Sequence, residues 1–96
     1  VAGTIAAQIR YTRVAADTAE VHFAVRGAFQ GKGLGTRALL LSRPRVCSQM
    51  GVARLRGVVI EPNEPSARAF LKAGYTRVSS LQDRGRACGV FERPCS

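Results

Sequence analysis

Gln30-Gly31-Lys32-Gly33-Leu34-Gly35-Thr36 is the stretch on which the reading of this chain turns. Before it, from Ala19 to Arg26, apolar Val21, Phe23 and Val25 alternate with Glu20, His22 and Ala24. That period of two predicts a half-buried strand with a polar second face. After it, Leu39, Leu40, Val46, Cys47 and Met50 recur at helical spacing, predicting a helix from about Gly33 to Met50. A strand, closely spaced glycines and a helix start form a recipe for holding phosphate. Unpaired N–H groups and the helix dipole attract an anion there, and glycines let the backbone come close. Lys32 adds a cation.

Two familiar phosphate loops do not fit. The nucleotide-triphosphate loop needs Lys-Ser/Thr after its last glycine, whereas Thr36-Arg37 follows Gly35. The dinucleotide fingerprint needs Gly-x-Gly-x-x-Gly, and Thr36 stands where its third glycine would be. A glycine-rich connection with no ligand is the bland alternative.

Working outward, Val1 to Tyr11 reads as a strand and Thr12 to Thr18 as a polar turn. Pro44 predicts a kink or break near Ser42, because it removes a hydrogen bond to the Leu40 carbonyl. Gly51 closes that helix, and Arg54 to Ile60 is a strand. Glu61-Pro62-Asn63-Glu64-Pro65 leads into a short helix from Ser66 to Ala73, capped by Gly74. Tyr75 to Leu81 and Ala87 to Arg93 are two further strands joined by a polar turn. The order β-β-α-β-α-β-β predicts one α/β (α+β) domain over residues 1–96, with a mixed, mostly antiparallel central sheet.

Fifteen Lys and Arg against six Asp and Glu give a formal charge of +9, which draws anions: nucleic acid, an anionic membrane surface or a phosphate-bearing cofactor. The cations are scattered and aromatics are only 6%, so base-stacking platforms are hard to build. No apolar run approaches the roughly 20 residues of a membrane-spanning helix. Val1 opens without methionine or a signal-peptide pattern, which predicts a start inside a longer polypeptide. Cys47, Cys88 and Cys95 match neither a zinc pattern nor a disulfide framework. The expectation is small buried or incidental thiols, a reducing cytoplasm and no metal.

The run from Ala19 to Thr36 resembles the signature of the GNAT acetyltransferase superfamily: a strand ending in Val, then Arg/Gln-x-x-Gly-x-Gly/Ala opening a helix. Asn63 through Phe70-Leu71-Lys72-Ala73-Gly74-Tyr75 looks like that family's second motif. The resemblance covers nearly the whole chain. It implies a GNAT-like core that lacks the family's N-terminal strand and helices, with acetyl-CoA as cosubstrate. On it, the Val25 backbone pairs with the pantetheine arm. Gln30, Gly31, Lys32, Gly33, Leu34, Gly35 and Thr36 wrap the pyrophosphate, and Asn63 touches the cofactor near its pantetheine. The competing role for Asn63 is a helix cap.

The family transfers acetyl to an amine, which must first lose a proton; a lysine's ordinary pKa is about 10.4. Bacterial protein-lysine acetyltransferases of the superfamily resemble the chain at Glu20, where a carboxylate serves as general base. A solvated strand glutamate is the alternative. His22 shares its face and is a second candidate. Phe70 stands where many members place the tyrosine that protonates the thiolate, and Tyr75 is expected to anchor the core instead. The leading expectation is an acetyl-CoA-dependent transferase acting on a primary amine, either protein lysine or a small molecule. The alternatives are a non-catalytic CoA-binding regulatory module and a basic nucleic-acid-binding domain. A second copy or an N-terminal region would cover the open side.

Overall fold

The computed structural model describes residues 7–25, 33–61 and 63–95. Within them the elements run β1 (Ala7–Ala15), β2 (Thr18–Val25), α1 (Leu34–Met50), β3 (Arg54–Ile60), α2 (Glu64–Lys72), β4 (Thr76–Asp83) and β5 (Arg86–Pro94). The predicted element order and mixed sheet are both present. The strands lie β1-β2-β3-β5-β4; only the β2–β3 pair is parallel. A parallel pair needs a crossover, and α1 supplies it.

Register decides which side of the sheet is dry. Ala19, Val21, Leu55, Val59 and Phe91 point to one face, where they meet Leu39 of α1 and Phe70 of α2 in a single core. Phe70 is its keystone, with ring centroids 5.3 Å from Phe23, 4.9 Å from Tyr75 and 5.7 Å from Phe91. Gly57 makes this possible: a Cβ there would stand 2.1 Å from the Phe70 ring. The other face carries no helix among the described residues. Ile60 and Leu81 flank the buried Cys88 on it, and both are exposed.

Three expectations are corrected. The first strand runs on to Ala15 and the turn shrinks to Ala16 and Asp17, because Tyr11 and Arg13 still alternate inward over α1. The Tyr11 hydroxyl meets Ser42 Oγ at 2.6 Å, and Arg13 donates to the Met50 carbonyl. Residues 1–6 of the expected strand lie outside the described residues.

Of the kink or break expected at Pro44, the break does not occur: α1 is continuous for 17 residues. Pro44, Leu40 and Leu41 are exposed, so water can take the carbonyl that Pro44 leaves without a donor.

The cysteines are not all incidental thiols. Cys47, in the last turn of α1, forms a disulfide with Cys95, beyond β5, with Cα atoms 5.8 Å apart. Cys88 alone is free, and it is buried. The sheet order brings the C-terminus beside α1, a proximity that spacing along the chain does not reveal. With it goes the ground for expecting a reducing cytoplasm.

Candidate active site

The parallel β2–β3 ladder stops early. It runs from Thr18↔Arg54 to Val21↔Gly57, yet β2 continues to Val25 and β3 to Ile60. On their outer sides both strands stay paired: β2 with β1 to its end, β3 with β5 through Ile60↔Cys88. The two central strands therefore part after Val21 and Gly57, leaving inward-facing backbone donors and acceptors on each side of a notch. An extended ligand bearing amides can use such groups as another strand would. The notch lies at the carboxyl ends of the parallel strands, where open α/β sheets bind ligands.

The two helices that begin at this end start differently. Asn63 is the N-cap of α2, its Oδ1 accepting from the Ser66 N–H at 3.3 Å, and Glu64 adds a negative charge to the first turn. Protein groups thus satisfy that end. At α1 the N-cap is Gly33, in the left-handed region at φ 75°, with no side-chain cap and no acid in the first turn. Among the described residues no side chain closes this end, so its N–H groups and dipole can meet an anion. Gly35 lets this turn press on β2, since a Cβ there would lie 2.8 Å from Phe23 Cε2. Leu34 and Thr36 are half-buried beside it. Gln30, Gly31, Lys32 and the Val25 side chain lie outside the described residues.

Glu20 sits on the helix-free face at the penultimate paired position before the strands part. Thr12, Glu20, Arg56, Glu92 and Thr76 form one row across all five strands. Within it Arg56 Nε lies 3.2 Å from Glu92 Oε2, and Arg54 joins the same carboxylate at 3.6 Å. Both arginines are thereby engaged with Glu92. Glu20 instead meets His22, with Nε2 and Oε1 3.1 Å apart; the side chains are 21% and 46% exposed respectively. Sequence spacing placed Glu20 and His22 on one face. It gave no sign of Arg56 and Glu92 in the same row, because the order β3-β5 arises only in the folded sheet.

Phe70 is 2% exposed and packs over Gly57, the last position of β3 paired with β2. It offers an apolar wall and no proton. Tyr75 is likewise core, packed edge-on against Phe70. Burial raises its phenol pKa, Tyr11 adds to the rise, and Arg93 and Arg43 oppose it. No group of three or more His, Cys, Asp or Glu side chains able to hold a metal occurs among the described residues. Nor is any described helix long and apolar enough to cross a membrane.

Residues 2–76 match the family model for the acetyltransferase (GNAT) domain. No curated protein matches the chain significantly in sequence. Among solved structures, the GNAT domain of S. lividans PAT is 31% identical, with a TM-score of 0.79; the alignment covers 98% of this chain and 56% of that one. The acetyltransferase (GNAT family) from Bacillus anthracis superposes at a TM-score of 0.84 and 16% identity, covering 94% and 58%. The microcin C7 self immunity acetyltransferase MccE, solved with acetyl-CoA and AMP, superposes at 0.71 and 23% identity, covering 80% and 46%. The chain thus spans about half the length of the structures it resembles.

Proposed function

The chain belongs to the GNAT acetyltransferase family, and from that membership we propose that it is the acetyl-CoA-binding part of an N-acetyltransferase acting on a primary amine. The observation that carries this reading is the notch between β2 and β3, which opens beside the uncapped start of α1. The free backbone edge of β2, ending at Val25, suits the amide-bearing pantetheine arm. Gln30, Gly31, Lys32, Gly33, Leu34, Gly35 and Thr36 suit the pyrophosphate. Asn63 keeps its amide nitrogen for the ligand while its oxygen caps α2.

Bound acetyl-CoA supplies an acyl carbon activated as a thioester. The protein's share is to hold it and to free the amine nitrogen of its proton. Glu20 is the base in this reading, half-sheltered on the helix-free face beside the notch. The amine then approaches from that face, the pyrophosphate end being on the helix side. The exposed Ile60 and Leu81 support a further wall over this face, from a second copy or from a longer chain's N-terminal region.

Phe70 favours a second reading, a CoA-binding module without turnover, because it cannot protonate a departing thiolate. One set of assays separates the two. Acetyl-CoA raises the melting temperature under both. Thiol release with a panel of primary amines occurs only under the first. Glu20→Gln is expected to lower kcat by about 10²–10⁴-fold with unchanged acetyl-CoA affinity. Equal turnover in this variant removes Glu20 as the base. Gly33→Val is expected to abolish binding, since it strains a left-handed residue and puts a side chain where backbone meets phosphate.

A further inference from the structure

The contact between Glu20 and His22 has chemical content beyond a single base. Glu20 Oε1 faces His22 Nε2 at 3.1 Å, and the imidazole is the more exposed partner. The pair straddles the point where β2 loses β3: Glu20 still pairs with Arg56, whereas His22 has no β3 partner. His22 thus offers the carboxylate a more solvent-exposed neighbour at the lip of the notch.

We infer that His22 is a proton relay for Glu20, carrying the acceptor's proton from the carboxylate to water; this rests on the transferase reading above. The ammonium gives one proton to Glu20. The resulting O–H passes it to Nε2 of a neutral ring protonated at Nδ1, and Nδ1 releases a proton to solvent. Tautomer exchange through water resets the ring. The nitrogen, now neutral, forms its bond to the acetyl carbon as the carbon–sulfur bond breaks. Its second proton leaves by way of water to the thiolate, because Phe70 cannot carry it. One amide, one thiol and one released proton balance the reaction.

The charged surroundings fit a relay. From β1, Arg10 is the cross-strand partner of His22; from β3, Arg56 is the partner of Glu20. Arg56 is held by Glu92 of β5, and both helices lie on the opposite face. Glu92 therefore keeps Arg56 from becoming the fixed partner of Glu20, leaving the carboxylate to His22.

His22 acts through Glu20 and so is a positioning and relay residue, for which activity loss alone is a weak test. The full chain is assayed as wild type, His22→Gln and His22→Ala, with acetyl-CoA and the best amine of the panel. His22→Gln keeps a hydrogen-bond donor for Glu20 but cannot carry a proton. Both variants are expected to lose about tenfold or more in kcat and to keep the thermal shift with acetyl-CoA. Added imidazole is expected to restore His22→Ala. Wild-type rates in His22→Gln, or no rescue of His22→Ala by imidazole, overturn the relay while leaving the transferase reading intact. A wild-type chain that is stabilised by acetyl-CoA but acetylates no amine overturns both.

Discussion

Tyr75 shows how one atom can set a pH limit. Its side chain is buried, and its hydroxyl finds no hydrogen-bond partner among the described residues. A buried hydroxyl without a partner costs about 1–3 kcal/mol in proteins, so Tyr75→Phe is expected to leave stability unchanged or raise it by about 1 kcal/mol. Burial also raises the phenol's pKa in the folded state. An acid whose folded pKa is raised contributes stability that is fully present below its unfolded pKa, about 10. That contribution is lost as pH climbs through the folded value, because the unfolded chain gains by ionising first. Urea titrations from pH 8 to 11 are therefore expected to show stability falling above pH 10, less steeply in Tyr75→Phe. A variant with the same alkaline slope as wild type assigns the loss to another group, the half-buried phenol of Tyr11 being the next candidate.

At the scale of elements, the two helix starts divide the labour. The first turn of α2 is closed by its own Asn63 and Glu64, whereas that of α1 has neither a side-chain cap nor an acid. Asn63 caps α2, and two substitutions separate that role from the proposed one in binding. Asn63→Ala is expected to cost about 1 kcal/mol of stability and to weaken acetyl-CoA binding. Asn63→Asp keeps the accepting oxygen and adds favourable charge at the helix start, so it is expected to preserve the melting temperature. It has no amide donor and adds repulsion toward an anionic ligand, so binding is expected to weaken. Unaltered affinity in Asn63→Asp assigns the residue to capping alone, as calorimetry with acetyl-CoA can read. Pro44 lies within α1 on an exposed stretch. Its replacement by Ala is expected to stabilise the helix, by up to about 3 kcal/mol, visible as a rise in melting temperature.

Across the whole molecule, the C-terminus is tied to the far end of α1. The Cys47–Cys95 bond closes a sequence separation of 48 residues. Around it, Arg43 Nη1 donates to the Cys95 carbonyl at 2.6 Å and the Cys95 N–H donates to the Ala53 carbonyl at 2.8 Å. In the chain-entropy picture a loop of this size contributes about 4 kcal/mol, a large share of the stability of a small domain. Cys47→Ser with Cys95→Ser is expected to lower the denaturant midpoint accordingly, and reductant is expected to do the same to the wild type. A midpoint that ignores both removes the bond from any role in stability.

Much of this was legible along the chain. The alternation Val21-Phe23-Val25, the glycines at 33 and 35 and the Asn63 to Gly74 segment determined the elements, their order and the glycine start of α1. Those are local properties: side-chain period, backbone freedom and capping act over a few residues. Polar composition misled at Thr12 to Ala15, where the backbone still pairs with β2 and Arg13 reaches across to the Met50 carbonyl of α1. Pro44 did not split α1 in two, because a missing hydrogen bond matters less on a helix side open to water. The depth of the notch, the row that brings Arg56 and Glu92 beside Glu20, the aromatic stack over Gly57 and the union of Cys47 with Cys95 were decided only by the tertiary structure. Each depends on which strands become neighbours, and that choice is made by burying one shared core rather than by any local run of residues.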